Sequence, residues 1–262
     1  MKKSPEPSDY LSVQKALQIL LAFVPHNKEM GTLEVSKRLG LHKSTVSRLL
    51  SVLCHYDFFQ YDPKTRKFRL GRAAAKIGTA VRQSLREHLI GIAQPYIDDL
   101  RDTVGETVAL EVWNGNSTIL AYRAEALQSK RVYLLNAGDR VDVHVSAGAR
   151  AILAFSPPHV VENVLGGEFK RFTPNTITDP NTLKEQMVKV RVDGYARSSG
   201  ERHVDSEIIA FPIFNYEKKP VAAMSVFTTS ERIASLVRSD ALSLLKETAG
   251  KISAKLLYSE ED

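Results

Sequence analysis

Residues 32–55 read TLEVSKRLGLHKSTVSRLLSVLCH, and the fold is decided by how this stretch divides. Thr32 to Leu39 fits a short helix, with Thr32 as its N-cap and Gly40 just past its end. A second helix fits about Lys43 to His55, with Val46, Leu49, Leu50 and Leu53 on its buried face. Two helices around a tight glycine turn form a helix-turn-helix candidate. Val35, Leu39, Leu41, Val46 and Leu49 supply the apolar positions where such helices meet, and Ser36 supplies the small residue at their closest approach. The outward face of the second helix is then His42, Lys43, Ser44, Thr45, Ser47 and Arg48. These are hydrogen-bonding side chains of modest length, or cations, and a helix lying in a DNA major groove presents that set to base edges and phosphates.

Outward from this core the same reading extends in both directions. Upstream, Val13, Ala16, Leu17, Leu20 and Leu21 recur at the spacing of one helix face, and Pro25 and Asn27 end that helix. Residues 1–9 are polar, hold two prolines and are expected to be mobile. Downstream the period changes from 3.6 to 2. Phe59 and Tyr61, then Phe68 and Leu70, flank Asp62-Pro63-Lys64-Thr65, which predicts a β-hairpin. Its cations, Lys64, Arg66, Lys67 and Arg69, make a basic wing suited to a phosphate backbone or a minor groove. Helix, helix-turn-helix and hairpin together predict a winged helix over residues 10–71, and residues 72–83 read as a linker helix.

Charge separates the chain in the same way. The net charge is +6, but residues 1–83 carry +9 and residues 84–262 carry −3. A basic module for a polyanion is thus joined to a mildly acidic remainder. That remainder mixes strands and helices. Leu85, Leu89, Ile92, Ala93, Tyr96 and Leu100 line a helix that Pro95 is expected to start or kink. Thr107–Trp113 and Ser117–Tyr122 flank Asn114-Gly115-Asn116, a hairpin signal. Further strands fit Arg131–Leu135, Ser206–Phe214 and Val221–Phe227. A helix fits Asp179–Arg191, capped by Asp179 with Pro180 at its first position, and another fits Ser239–Tyr258. The fold class is therefore α+β, with residues 84–262 large enough for their own core and a pocket.

Several function classes are disfavoured. No apolar run approaches the ~18 residues of a membrane span, and the start lacks the apolar core of a secretory signal. The one cysteine, Cys54, cannot form an intrachain disulfide or a cysteine-based zinc site. There is no P-loop, GxSxG, HExxH, paired CxxC or GxGxxG, and the seven histidines lack ligand spacing. No catalytic residue, cofactor or metal is expected, and the expected location is the cytoplasm.

The chain also resembles the IclR-type bacterial transcriptional regulators from about residue 10 to residue 257. Ser12-Val13-Gln14-Lys15-Ala16-Leu17 is similar to their first helix, Leu41–Leu50 to their recognition helix, and Tyr61-Asp62-Pro63 through Arg69-Leu70-Gly71 to their wing. Ala137–Val141 with His144, Gly194-Tyr195-Ala196 with Gly200-Glu201, Ala210–Phe214 and Ala222–Val226 resemble their second-domain signatures. The resemblance implies a homodimer or dimer of dimers on double-stranded operator DNA, and a GAF-like domain that binds a small effector, often a carboxylate. By motif it places that effector against the backbone amides of Ser146 and Ala147, extending to Gly148, and against Ser198, Ile208, Ser225 and Phe227. The resembled carboxylate sensors carry Asp, Cys, Ser and Ser at the last four, so Ile208 and Phe227 predict a more apolar pocket for a larger, partly hydrophobic or aromatic acid. Arg123, Arg131 and Arg150 are possible anion partners, and His144 is expected to organise a turn. Three other readings stay open: a purely structural second domain, an enzyme with a vestigial winged helix, and a winged helix that contacts protein.

Overall fold

The computed structural model describes residues 11–24, 27–126, 135–238 and 241–258. The chain divides into two compact units after Leu85. The first holds α1 (Leu11–Leu21), α2 (Thr32–Leu39), α3 (Lys43–His55) and a hairpin of β1 (Phe59–Asp62) and β2 (Lys67–Leu70). Its core is Ile19, Phe23, Met30, Val35, Val46, Leu50 and Phe59, with the Phe23 and Phe59 rings edge to face at 4.6 Å. Gly40 ends α2 in the left-handed region at φ 65°, with nothing within 4 Å of where a Cβ would stand, so the turn needs glycine for its backbone and not for space. Ser36 does more than keep the helices close. Its hydroxyl donates to the Leu41 carbonyl at 2.6 Å and its own carbonyl accepts from the Leu41 amide at 3.1 Å, which clamps the turn.

Three local expectations for this unit change. The N-cap of α2 is Gly31, not Thr32. The Glu34 carboxylate reaches back to accept the Gly31 N–H at 2.6 Å, a device that needs no side chain on the capping residue. The expected apolar face of α1 is not the buried one. Ile19 is the buried residue of the helix, while Val13, Leu17 and Leu21 are more than half exposed, because only the C-terminal end of α1 reaches the core. The wing also gains a third edge. Met30 and Phe68 exchange both backbone hydrogen bonds, and the Asn27 side chain accepts the Leu70 N–H at 2.7 Å.

The expected linker helix and the helix after it are one element, α4 (Arg72–Val104), which crosses the boundary between the units and runs through Pro95. Proline inside a helix costs about 3 kcal/mol through its missing N–H and its ring. Here Leu89, Ala93, Ile97 and Leu100 keep one buried stripe going on both sides of Pro95, and their burial offsets that cost.

The second unit is built on a six-stranded antiparallel sheet in the order β5-β4-β3-β8-β7-β6. Its strands are β3 (Thr107–Trp113), β4 (Ser117–Ala124), β5 (Arg140–Asp142), β6 (Ala196–Ser199), β7 (Ser206–Phe214) and β8 (Pro220–Thr229). Gly115, at φ 88°, makes the turn between β3 and β4, and β7 spans the residues expected of it. The strand expected at Arg131–Leu135 lies outside the described residues except for Leu135, which is in no strand. Five elements leave too little periodicity to be read: β5, β6, α5 (Ala147–Ala154), α6 (Pro158–Leu165) and α8 (Ser230–Arg238). The helix expected from Ser239 is α9 (Ala241–Tyr258), while α7 (Pro180–Asp193) starts as expected, with Asp179 accepting from the Thr182 N–H at 2.8 Å. One sheet face, with Val108, Leu110, Ile209, Phe211, Met224 and Val226, packs with residues of α4, α8 and α9. The other, with Ala109, Leu120, Ile208, Ala210, Ala223 and Phe227, packs with residues of α5, α6 and α7.

Gly71 supplies a test of the first unit. A Cβ there would stand 2.3 Å from the Asp57 carbonyl oxygen and 3.0 Å from the Phe59 carbonyl carbon, backbone atoms that cannot swing away. Gly71→Ala should lower the stability of this unit by about 1–3 kcal/mol, read as an earlier thermal transition.

Candidate DNA-binding surface and effector site

The recognition-helix candidate is α3. His42, Lys43, Ser44, Ser47 and Arg48 are exposed, Thr45 is half-buried, and Val46 and Leu50 turn inward. Two of the expected contact residues are engaged within the helix start. His42 is the N-cap, and its Nδ1 accepts from the Ser44 backbone N–H and pairs with the Ser44 hydroxyl at 2.7 Å. In the wing, the Asp62 carboxylate accepts from the Lys64 N–H at 2.8 Å and the Thr65 hydroxyl at 3.0 Å, a side-chain-closed turn. Those bonds, the Lys64 N–H foremost, hold the Asp62 carboxyl below its ordinary pKa. Arg66 follows at φ 55°, a strained conformation for a non-glycine residue, and is exposed in the turn.

The cations of this unit are not equivalent. Arg69 donates to Gln60 at 3.2 Å and lies 3.9 Å from Glu29, so it is partly committed to its own fold. Among the described residues, Lys43, Arg48, Lys64, Arg66 and Lys67 have no carboxylate within ion-pair distance. Unpaired cations on a helix and on a neighbouring hairpin are suited to phosphates.

In the second unit four of the expected effector residues, Ser198, Ile208, Ser225 and Phe227, fall on one face of the sheet, and Ser146, Ala147 and Gly148 stand at the start of α5. Ser198 pairs with Ile208 and Ile208 with Phe227, so these three form a row across β6, β7 and β8. The next row holds Ala196, Ala210, Ser225 and Ala109. Small residues there let α5 lie close, and all eight residues of α5 are buried. Ser146 is the N-cap of α5, its hydroxyl accepting from the Ala149 N–H at 2.9 Å.

Two carboxylates absent from the sequence-based site organise this face. Glu111, 3% exposed, accepts from the hydroxyls of Ser146 at 2.6 Å, Thr118 at 2.7 Å and Ser225 at 2.6 Å. Ser146 and Ser225 therefore direct their protons to a side chain of this protein. Glu201, 6% exposed, accepts from Arg150 at 2.7 Å and from Ser198 at 2.8 Å. Arg150 is 1% exposed and also donates to the carbonyls of His144 and Arg197. It is a buried structural cation, not a free anion partner. Arg123 is likewise engaged, with the Leu135 carbonyl and Glu125, and Arg131 lies outside the described residues.

The Gly200-Glu201 turn is held from below by Thr173 and Thr176, whose hydroxyls donate to the carbonyls of Gly200 and Glu201, each at 2.7 Å. His144 is buried in a single 3-10 turn (Val143–Val145), bonded to the Lys170 carbonyl at 2.7 Å and stacked near Phe169 and Phe172. No group of three or more His, Cys, Asp or Glu among the described residues could hold a metal, and no described helix is long and apolar enough to cross a membrane.

A winged helix-turn-helix with unpaired cations on its outer helix and wing, followed by a separate α+β unit, defines a two-unit DNA-binding transcriptional regulator. Family comparisons agree for both parts. Residues 12–63 match the IclR helix-turn-helix domain and residues 82–254 the bacterial transcriptional regulator IclR C-terminal domain. The chain belongs to the IclR family of transcriptional regulators. It is 28% identical over 223 residues to the HTH-type transcriptional regulator XynR of Escherichia coli, covering 85% of this chain and 87% of that one. The crystal structure of the Thermotoga maritima IclR superposes with a TM-score of 0.63 at 28% identity, covering 95% of this chain and 99% of that one. An IclR homologue from Microbacterium hydrocarbonoxydans, complexed with 4-hydroxybenzoate, shares the fold with a TM-score of 0.60 at 24% identity, over 95% of this chain and 100% of that one.

Cys54 sits half-buried on α3 against the first unit's core, and burial raises its thiol pKa. The thiol form therefore persists through neutral pH, where only the thiolate reacts. Iodoacetamide at pH 7 should label the folded protein far more slowly than the urea-unfolded chain, as read by mass spectrometry.

Proposed function

We propose that this regulator reads operator DNA with α3 and the wing, as a homodimer or dimer of dimers, and that a small organic acid bound to the second unit alters that affinity. The unpaired Lys43, Arg48, Lys64, Arg66 and Lys67 carry the proposal, since cations on a helix and the neighbouring wing that are not committed to carboxylates are available to phosphate oxygens. His42, Ser44, Thr45 and Ser47 would complete base and backbone contacts from α3, and Arg69 would add a weaker one. In this reading residues 10–71 bind DNA, residues 72–83 connect, and residues 84–262 sense. The names of the relatives favour a regulator over an enzyme, and a cytoplasmic location goes with that reading. Ile208 and Phe227 side by side, flanked by Ser198 and Ser225, favour an acid with an apolar or aromatic body, for which 4-hydroxybenzoate is a first probe.

Binding to bases and binding to phosphates differ in how they respond to salt. Arg48→Ala and Lys43→Ala should each weaken operator binding and relax sequence preference, whereas Lys67→Ala should mainly lower the log–log salt slope, by about one unit for each phosphate no longer neutralised. Fluorescence anisotropy over a salt series decides this. Wild-type affinity and selectivity in the Arg48 variant would remove α3 from the reading role.

One winged helix buries too little surface to select a site among ~10⁶ or more competitors, which supports paired half-sites. Two apolar stripes in the first unit suit such pairing: Val13, Leu17 and Leu21 on α1, and Ile77, Val81 and Leu85 on α4, each spaced by four residues and more than half exposed. Leu17→Asp and Val81→Asp should shift micromolar protein toward monomer in sedimentation velocity and shorten the footprint. A wild-type protein that sediments as a monomer on a single half-site would contradict the assembly.

A further inference from the structure

The group that faces the start of α5 is the Glu111 carboxylate. Glu111 lies on β3 with Ala109 and Trp113, on the sheet face that α5 covers. A Cβ on Gly148, in the first turn of α5, would stand 2.5 Å from Glu111 Oε1 and 2.8 Å from Oε2, so the carboxylate is seated directly against that turn. The start of a helix favours negative charge, and a buried carboxylate with no cation beside it is stable only where dipoles and donors replace its water. Glu111 has both, with three hydroxyl donors and, among the described residues, no ion pair.

We infer that Glu111 is a resident anion that fills the carboxylate position of the effector site and sets its specificity. This rests on the proposal that the second unit binds an effector, and it corrects how that effector is oriented. The amides of Ser146 to Gly148 and the Ser225 hydroxyl do not hold an incoming carboxylate, because Glu111 already occupies that place. A second carboxylate there would meet like charge at close range in a dry setting. The effector therefore turns a hydrogen-bond donor, a hydroxyl or an ammonium, toward Glu111, and any carboxylate it carries lies at its other end. The donor count agrees. Among the described residues, Glu111 Oε2 accepts from Ser146 and Thr118, whereas Oε1 accepts from Ser225 alone. A carboxylate oxygen has two lone-pair directions, so Oε1 keeps acceptor capacity for one more donor.

Glu111→Ala removes four heavy atoms, the heavy-atom count of acetate, which allows a rescue experiment on the full-length protein without DNA. Wild-type melting should be indifferent to acetate against a chloride control of equal ionic strength. Glu111→Ala should melt earlier and regain a substantial part of the loss as acetate is added. No recovery over the chloride control, or an equal response in wild type, overturns the inference. If Glu111→Ala does not fold, Glu111→Gln keeps the volume and loses the charge. Titrating benzoate and benzyl alcohol, read by the fluorescence of Trp113, the sole tryptophan, should then show the ratio of their Kd values shifting at least tenfold toward benzoate relative to wild type. An unchanged ratio overturns the inference alone, and no response from either protein overturns it together with the effector reading on which it rests. The regulator reading fails separately, if ligands that bind leave operator affinity unaltered.

Discussion

Helix α5 is buried along all eight of its residues, and the second unit is arranged around that constraint. A helix end shut away from water leaves N–H groups that must find acceptors inside the protein. Ser146 satisfies one, and the Glu111 carboxylate brings negative charge to the same end. The helix also carries Arg150, whose guanidinium has no route to solvent and is met by Glu201 and two backbone carbonyls. Each acidic residue then recruits hydroxyls of its own: Ser146, Thr118 and Ser225 around Glu111, and Ser198 with Glu201. Removing one partner of such a buried pair costs about 3–5 kcal/mol, so the polar layer holds the helix in one register on the sheet.

The first unit solves the opposite problem. Its helix α3 leaves one face uncovered, so its stability comes from Val46 and Leu50 beneath and from the Ser36 clamp at the turn. Some of its outward side chains work locally as well. His42 and Ser44 cap the helix they are expected to present, and Asp62 shapes the wing that carries Lys64 and Arg66. Strain at Arg66 is tolerated because the neighbouring turn is closed by side-chain bonds, and it keeps a cation where a glycine would relax the backbone.

Much of this is legible in the sequence where periodicity is strong. The helix-turn-helix, the wing, the β3–β4 hairpin, β7 and α7 follow from apolar spacing, turn residues and caps. Helix α5 does not follow, because AGARAILA is apolar or small nearly throughout and has no face to detect. The exposed side of α1 escapes for a related reason: periodicity finds an apolar stripe but not what covers it. For the proposed effector site, the resemblance points to Ser146, Ser198 and Ser225 but not to the carboxylates they serve. A signal for Glu111 is present, since it is the one charged residue within the apolar run from Val108 to Val112, at the same strand parity as Ala109.

Gly148 and Glu111 also constrain which sequences can succeed one another. A side chain at 148 collides with a carboxylate end that could swing aside only by breaking its three hydroxyl bonds. Shortening Glu111 first leaves those hydroxyls buried without an acceptor, a penalty of about 1–3 kcal/mol for each left unpaired. Either single step passes through a less stable protein, so the two positions are expected to exchange together as the family diversifies.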